Sequence, residues 1–214
     1  MTSENVLCIA RAELGKKEFP ANSNNVKYNT WFYGHAVSGI KYPWCMAFVQ
    51  WCFFQAGAAA LLPSRTASCG ALMRAAQAVG CWVTKDYRPG DVVIYDFPGG
   101  AATDHCGIIE SATKSSVTSI EGNTSQSGSQ SNGGQVCRKT RPYSQIVGAV
   151  RPEFEEDKHM DNNPNPAHKE SVEWAVKRGI LTGDTLGNLM LNQPITRQQL
   201  CTMLYRFAKL VGKV

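Results

Sequence analysis

The sequence predicts an α+β fold with an antiparallel sheet, followed by a small all-α helix–loop–helix unit. Three observations carry this. Apolar residues recur at helical spacing through the first eighty positions and then switch to extended, β-rich runs. Short turn-rich joints such as Arg88-Pro89-Gly90 and Pro98-Gly99-Gly100 separate those runs, too short for parallel crossovers. An Asn/Pro-rich stretch, Asp161-Asn162-Asn163-Pro164-Asn165-Pro166, then reads as a linker before two amphipathic helical patterns. The expected organisation is a domain over 1–152, a linker over 153–166 and a helical module over 167–214.

Residues 3–15 carry Val6, Leu7, Ala10 and Leu14 on one helical side, with Ser3 placed to cap and Gly15 to terminate. Residues 16–43 read as a loop whose aromatics, Tyr28, Trp31, Phe32 and Tyr33, either line a cleft or pin the loop to the core. Pro43 suits a first helical turn, and a helix is expected from Cys45 to about Ala56, with Trp44, Phe48 and Trp51 inward and Gly57 ending it. Another spans 68–79, with Ser68 as cap and Leu72, Met73, Ala76 and Val79 inward. Strands are expected at 81–84, 91–97, 105–112, 117–121 and 146–151. The Gly/Ser/Asn/Gln stretch 122–135 reads as a mobile loop. Helices over 168–178 and 196–211 follow. The second is capped by Thr196 and is expected to bury Leu200, Met203, Leu204 and Phe207 as its inward face. So short a unit makes little core alone and is expected to dock on the first domain or on copies of itself.

A net charge of +5 fits work near an anionic polymer, while the absence of any Lys/Arg run argues against nucleic acid. No apolar run is long enough to span a membrane, and Met1–Asn5 does not open a signal peptide. The eight cysteines include no C-x-x-C pair, so free thiols in a reducing cytoplasm are the simplest expectation. A metal set built from Cys45, Cys52, Cys106 and His105 matches no standard ligand spacing, and the expectation is no metal and no cofactor.

A Cys in the first turn of a helix meets unpaired N–H groups and the positive end of the helix dipole, which favour a thiolate. Cys45 is therefore a candidate nucleophile, against the alternative of a small buried hydrophobe. His105 opens a strand whose next same-face residue is Gly107, which leaves room beside the imidazole for another group. If 105–112 and 117–123 pair as a hairpin, Glu121 or Asn123 reaches that imidazole, giving the base and orienting acceptor that a thiol nucleophile needs. The competing readings are a structural histidine and a solvated strand end.

Taken together, Tyr42-Pro43-Trp44-Cys45…Trp51-Cys52, Arg88-Pro89-Gly90-Asp91, Asp104-His105-Cys106-Gly107, Glu121-Gly122-Asn123 and Gly148-Ala149-Val150-Arg151-Pro152 resemble a CHAP domain of peptidoglycan hydrolases of the phage or prophage endolysin type. The resemblance implies a papain-like, NlpC-type fold and a cysteine amidase or endopeptidase acting on peptidoglycan. It implies Cys45 as nucleophile, His105 as base, Glu121 as the residue orienting it and Asn123 as a further polar partner. The calcium loop of some members is not matched: Ala36–Tyr42 holds no carboxylate. With no leader, release from a host cytoplasm to the wall is the expected route. A wall-binding protein with an inactive CHAP fold, and a thiol amidase acting on another amide, are the alternatives. Residues 167–211 are similar to one S-layer homology (SLH) repeat, through Val172-Glu173-Trp174, Gly183-Asp184, Ile195-Thr196-Arg197 and Met203-Leu204-Tyr205-Arg206. That likeness implies Arg197 as a contact to wall polymer, or self-association of several chains.

Overall fold

A computed structural model describes residues 1–98, 102–155, 162–184, 187–192 and 195–213. It divides into two compact units, Met1–Glu155 and Glu156–Val214. Gly99-Gly100 of the expected turn, His159 and much of the expected linker lie outside the described residues.

In the first unit, helices α1 (Ser3–Ala12), α2 (Lys27–Tyr33), α3 (Cys45–Gln55) and α4 (Cys69–Ala78) precede strands β1 (Trp82–Val83), β2 (Val92–Tyr95), β3 (His105–Ala112), β4 (Ser116–Thr124), β5 (Gln135–Pro142) and β6 (Ile146–Val150). The strands form one antiparallel sheet in the order β1-β6-β2-β3-β4-β5. The expected hairpin is present, with Ile108 opposite Ile120.

α3 organises the core. Eight of its eleven residues are buried, so it reads as apolar nearly all round rather than amphipathic. Its outer wall is α2, a helix in the stretch expected to be loop. Seven residues are too few for a periodic signal, and its stop is the left-handed Gly34 (φ 78°). Tyr28 from α2 is fully buried and meets Trp44, Phe48 and Trp51 at centroid distances of 5.3, 5.1 and 5.2 Å, so this aromatic pins α2 to the core.

Several local expectations are corrected. Thr2, not Ser3, caps α1, in a capping box with Asn5. Pro43 lies ahead of α3, whose N-cap is Trp44. Val79 is 67 % exposed, because α4 turns Cys69, Leu72 and Ala76 inward instead. Residues 122–124 and 135 belong to strands, and β5 was not foreseen at all. The segment between them is tied down: Gly133 N donates to Asn123 O, Thr124 Oγ1 to Gln130 O, and Lys139 Nζ to Ser125 O.

The pieces Arg88–Asp91 and Gly148–Pro152 are structural. Asp91, 2 % exposed, accepts from Arg88 N at 2.9 Å and pairs with Arg151 at 2.8 Å. This joins the entry to β2 with the exit of β6.

The second unit contains α5 (Lys169–Lys177) and α6 (Arg197–Leu210), the latter opened by a Thr196–Gln199 capping box. Trp174 meets Phe207 at 6.5 Å, and Arg206 Nη1 donates to Ile180 O and Thr182 Oγ1. Leu200, Leu204 and Phe207, expected as an inward face, are 46, 57 and 44 % exposed. Two short helices have too little facing surface to cover that stripe.

Candidate active site

Cys45 is the first residue of α3, Cys69 the first of α4, and His105 and Cys106 the first two of β3. Element starts therefore converge at one place. Strand alternation separates the two β3 residues: Cys106 joins the cluster packed under the helices, while His105 stands on the face of Gly107 and Ile109. Cys45 interacts with both, and with Cys69.

On that second face, His105 is fully buried and its Nε2 stands 3.1 Å from Glu121 Oε2, also fully buried. The carboxylate lies off the ring's N–H direction, so this is an ion-pair contact rather than an aligned hydrogen bond. Gly107 makes it possible. A Cβ there would stand 2.7 Å from Glu121 Cγ, so the carboxylate occupies the space the missing side chain leaves. Glu121 is not a solvated strand end.

Arg141 of β5, which was not foreseen from sequence, grips Glu121 with Nε–Oε1 of 3.1 Å and Nη2–Oε2 of 2.7 Å, and Ser119 Oγ donates to Oε1 at 2.7 Å. The guanidinium lies over the rings of Phe97 (4.7 Å) and Tyr95 (5.6 Å), and those two rings flank His105 at 5.9 and 6.2 Å. The run Val136–Arg141 has no apolar–polar alternation to mark it as a strand, and pairing with β4 is what places its arginine.

Asn123 is buried, with φ 57°, at an irregularity in the β4–β5 register. Its amide donates to Asn132 Oδ1 and accepts from Gly134 N, both at 3.3 Å. Its hydrogen bonds thus hold the base of the 125–134 loop. Arg197 begins α6 in the other unit and is exposed.

The electrostatics follow from these contacts. The Cys106 and Cys69 thiols, with His105, hold Cys45 well below the ordinary thiol range despite its burial. Burial pushes the His105 imidazole down, but Cys45 and Glu121 outweigh it and raise it to about 9. Burial favours protonated Glu121, yet His105 and Arg141 keep it below the usual carboxylate value. Burial drives Cys52, elsewhere on α3, well up. The metal set once conceivable with Cys52 is replaced by Cys45, Cys69 and Cys106, whose sulphurs all lie within 4.8 Å of one another.

Upstream, the approach to Cys45 is fixed by polar contacts. Glu18 Oε2 accepts from Trp44 Nε1 (3.2 Å) and Asn24 N (2.9 Å), while Asn29 Nδ2 donates to the carbonyls of Asn24 and Tyr42. Asn29 and Glu18 carried no motif signal of their own.

A thiol beside an imidazole backed by a carboxylate, at the start of a buried helix on an antiparallel sheet, is an arrangement in which a thiol can serve as nucleophile. Residues 37–123 match the CHAP domain family. No curated protein matches the chain. Among solved structures it is similar to Ly7917 (18 % identity, TM-score 0.42, 71 % of this chain and 63 % of that one). It is likewise similar to Ly7917 with the hydrolysing product of MDP (17 %, 0.41, 71 % and 63 %). The wild-type endolysin LysIME-EF1 gives 13 % identity and a TM-score of 0.46, over 84 % of this chain and 86 % of that one. The chain thus spans less than two thirds of the Ly7917 chain. Among the described residues, no helix is long and apolar enough to cross a membrane.

Proposed function

We propose that the first unit is a peptidoglycan hydrolase cleaving an amide bond, either the muramoyl–L-alanine link or a peptide bond of the stem or bridge. The observation that carries this is Cys45 at the start of α3 beside His105, whose Nε2 faces Glu121 at 3.1 Å, within the stretch that matches a CHAP domain.

In this reading the Cys45 thiolate attacks the amide carbonyl carbon. N–H groups at the first turn of α3, which have no partner within the helix, stabilise the oxyanion. Collapse breaks the C–N bond as His105 protonates the leaving amine, giving a thioester. His105 then takes a proton from water, which displaces the thiolate and releases the acid. Glu121, held by Arg141, fixes the ring so that Nδ1 is presented to the sulphur. Asn123 contributes by shaping the strand end that carries Glu121.

The second unit fits a wall-polymer contact through Arg197, or self-association through the exposed Leu200, Leu204 and Phe207 face.

Replacing Cys45 with Ala should abolish clearing of purified Gram-positive walls while the circular dichroism spectrum is kept. Undiminished clearing by Cys45→Ala would remove the nucleophile assignment. Mass spectrometry of the fragments released by the unaltered protein names the bond.

A further inference from the structure

Three cysteines far apart in sequence meet at the candidate nucleophile, and a thiol mechanism uses one of them. We propose that Cys45, Cys69 and Cys106 together form a binding site for a thiophilic divalent cation, zinc, and that its occupancy reversibly masks Cys45. This is an inhibitor site, not a cofactor site, and it departs from the expectation of no metal.

The donor set suits zinc. In a tetrahedral site with Zn–S of about 2.3 Å, the sulphurs stand roughly 3.8 Å apart. The three sulphurs here already lie within 4.8 Å of one another, so binding asks each pair to close by about 1 Å at most. A disulfide would need about 2.0 Å, a far larger movement of side chains packed at helix and strand starts. Cys45 and Cys69 are 5 and 7 % exposed and Cys106 is enclosed, so the cluster lies just under the surface at Cys45 and Cys69.

A second observation points the same way. His105 Nδ1 is fully buried without an aligned hydrogen-bond partner, beside Cys45. Its other nitrogen faces the Glu121 carboxylate, the arrangement that commonly orients a metal-binding imidazole. The fourth zinc position falls to solvent, or to His105 Nδ1 after a side-chain movement, because His105 is not among the ligands that already lie within 4.8 Å of one another. The chemistry is coordination alone. Thiol protons leave to solvent as Zn–S bonds form, no electrons are exchanged, and affinity falls as pH is lowered.

The binding claim stands apart from the proposed hydrolysis; only the masking of activity rests on it. The test uses the reduced, full-length chain freed of metal with a chelator. Zinc titrated against a chromophoric chelator should bind at one ion per chain, and Cys69→Ser and Cys106→Ser should each weaken it at least tenfold. Should either variant fail to fold, the unaltered chain still decides. Zinc should protect Cys45 from iodoacetamide, read by peptide mass spectrometry, while the exposed Cys8 and Cys201 remain reactive. Wall clearing should fall at stoichiometric zinc and return with chelator. Unchanged alkylation of Cys45 with zinc, undiminished binding in a folded Cys69→Ser chain, or a Cys45–Cys106 disulfide in place of zinc binding overturns the proposal. Zinc protection of Cys45 in a chain that never clears walls would leave the site standing and count against the hydrolase reading instead.

Discussion

Gly107→Ala places one methyl group where the Glu121 side chain now lies. The added carbon would stand 2.7 Å from Glu121 Cγ, 3.1 Å from Ile120 O and 3.2 Å from Ser119 Cβ. Ordinary carbon contacts begin near 3.5 Å, so Glu121 has to move by something approaching 1 Å. It cannot swing into solvent, because it is fully buried and gripped by Arg141 and Ser119. Overpacking of this kind costs about 1–3 kcal/mol, a fall in Tm of about 2–12 °C for a chain of this size. A shift of that order at a positioning group lowers turnover by about 10²-fold. Gly148→Ala is the control. Its Cβ would collide with the Trp82 ring at 2.3 Å, on β6, with β2 between it and the β3 that carries His105. It should lower Tm comparably and leave clearing per folded molecule near normal. The assay is wall turbidity loss per folded chain beside thermal unfolding. Equal activity losses in the two variants, or normal activity in Gly107→Ala, would refute the argument that Gly107 exists to admit Glu121.

Arg141→Met strands a buried carboxylate, since Arg141 is 5 % exposed and Glu121 not at all. Removing one partner of such a pair costs about 3–5 kcal/mol, which urea unfolding should register. The double variant Arg141→Met/Glu121→Gln should recover much of that stability without recovering activity. Glu110 accepts from Arg138 at 2.6 and 3.0 Å and from Arg11 at 2.6 Å. Those guanidiniums, Arg138 foremost, hold it below the ordinary carboxylate value of 4.5. Its folded pKa is depressed, so its stabilisation is present above that value and lost as pH falls through the lower one. The stability gap between the unaltered chain and Glu110→Gln should therefore shrink across that acid range in urea titrations; a gap constant with pH would contradict the pairing.

The parts legible in the sequence were those written in local pattern. Cys45 at a helix start, the β3–β4 hairpin and the room beside Gly107 follow from period and from single residues. What stayed hidden depends on partners distant in the chain. β5 carries three basic residues, Arg138, Lys139 and Arg141, and on its own Val136-Cys137-Arg138-Lys139-Thr140-Arg141 is a polar run whose strand character comes from pairing with β4. Arg141 was invisible for the same reason. α2 was missed because its hold on the core is tertiary, through Tyr28. The thiol cluster joins residues 45, 69 and 106, a spacing no local motif encodes.

His105 and Cys106 are neighbours in the chain yet serve opposite sides of the sheet, and Cys45 meets both. Moving β3 by one residue against β2 and β4 would send the imidazole under the helices and bring a second thiol to the Glu121 side. The chemical identity of the site is thus a property of strand alignment. The long apolar ladder Val92–Ile108–Ile120, which looks like mere packing, is the proofreader that keeps acid–base chemistry on one side and sulphur on the other.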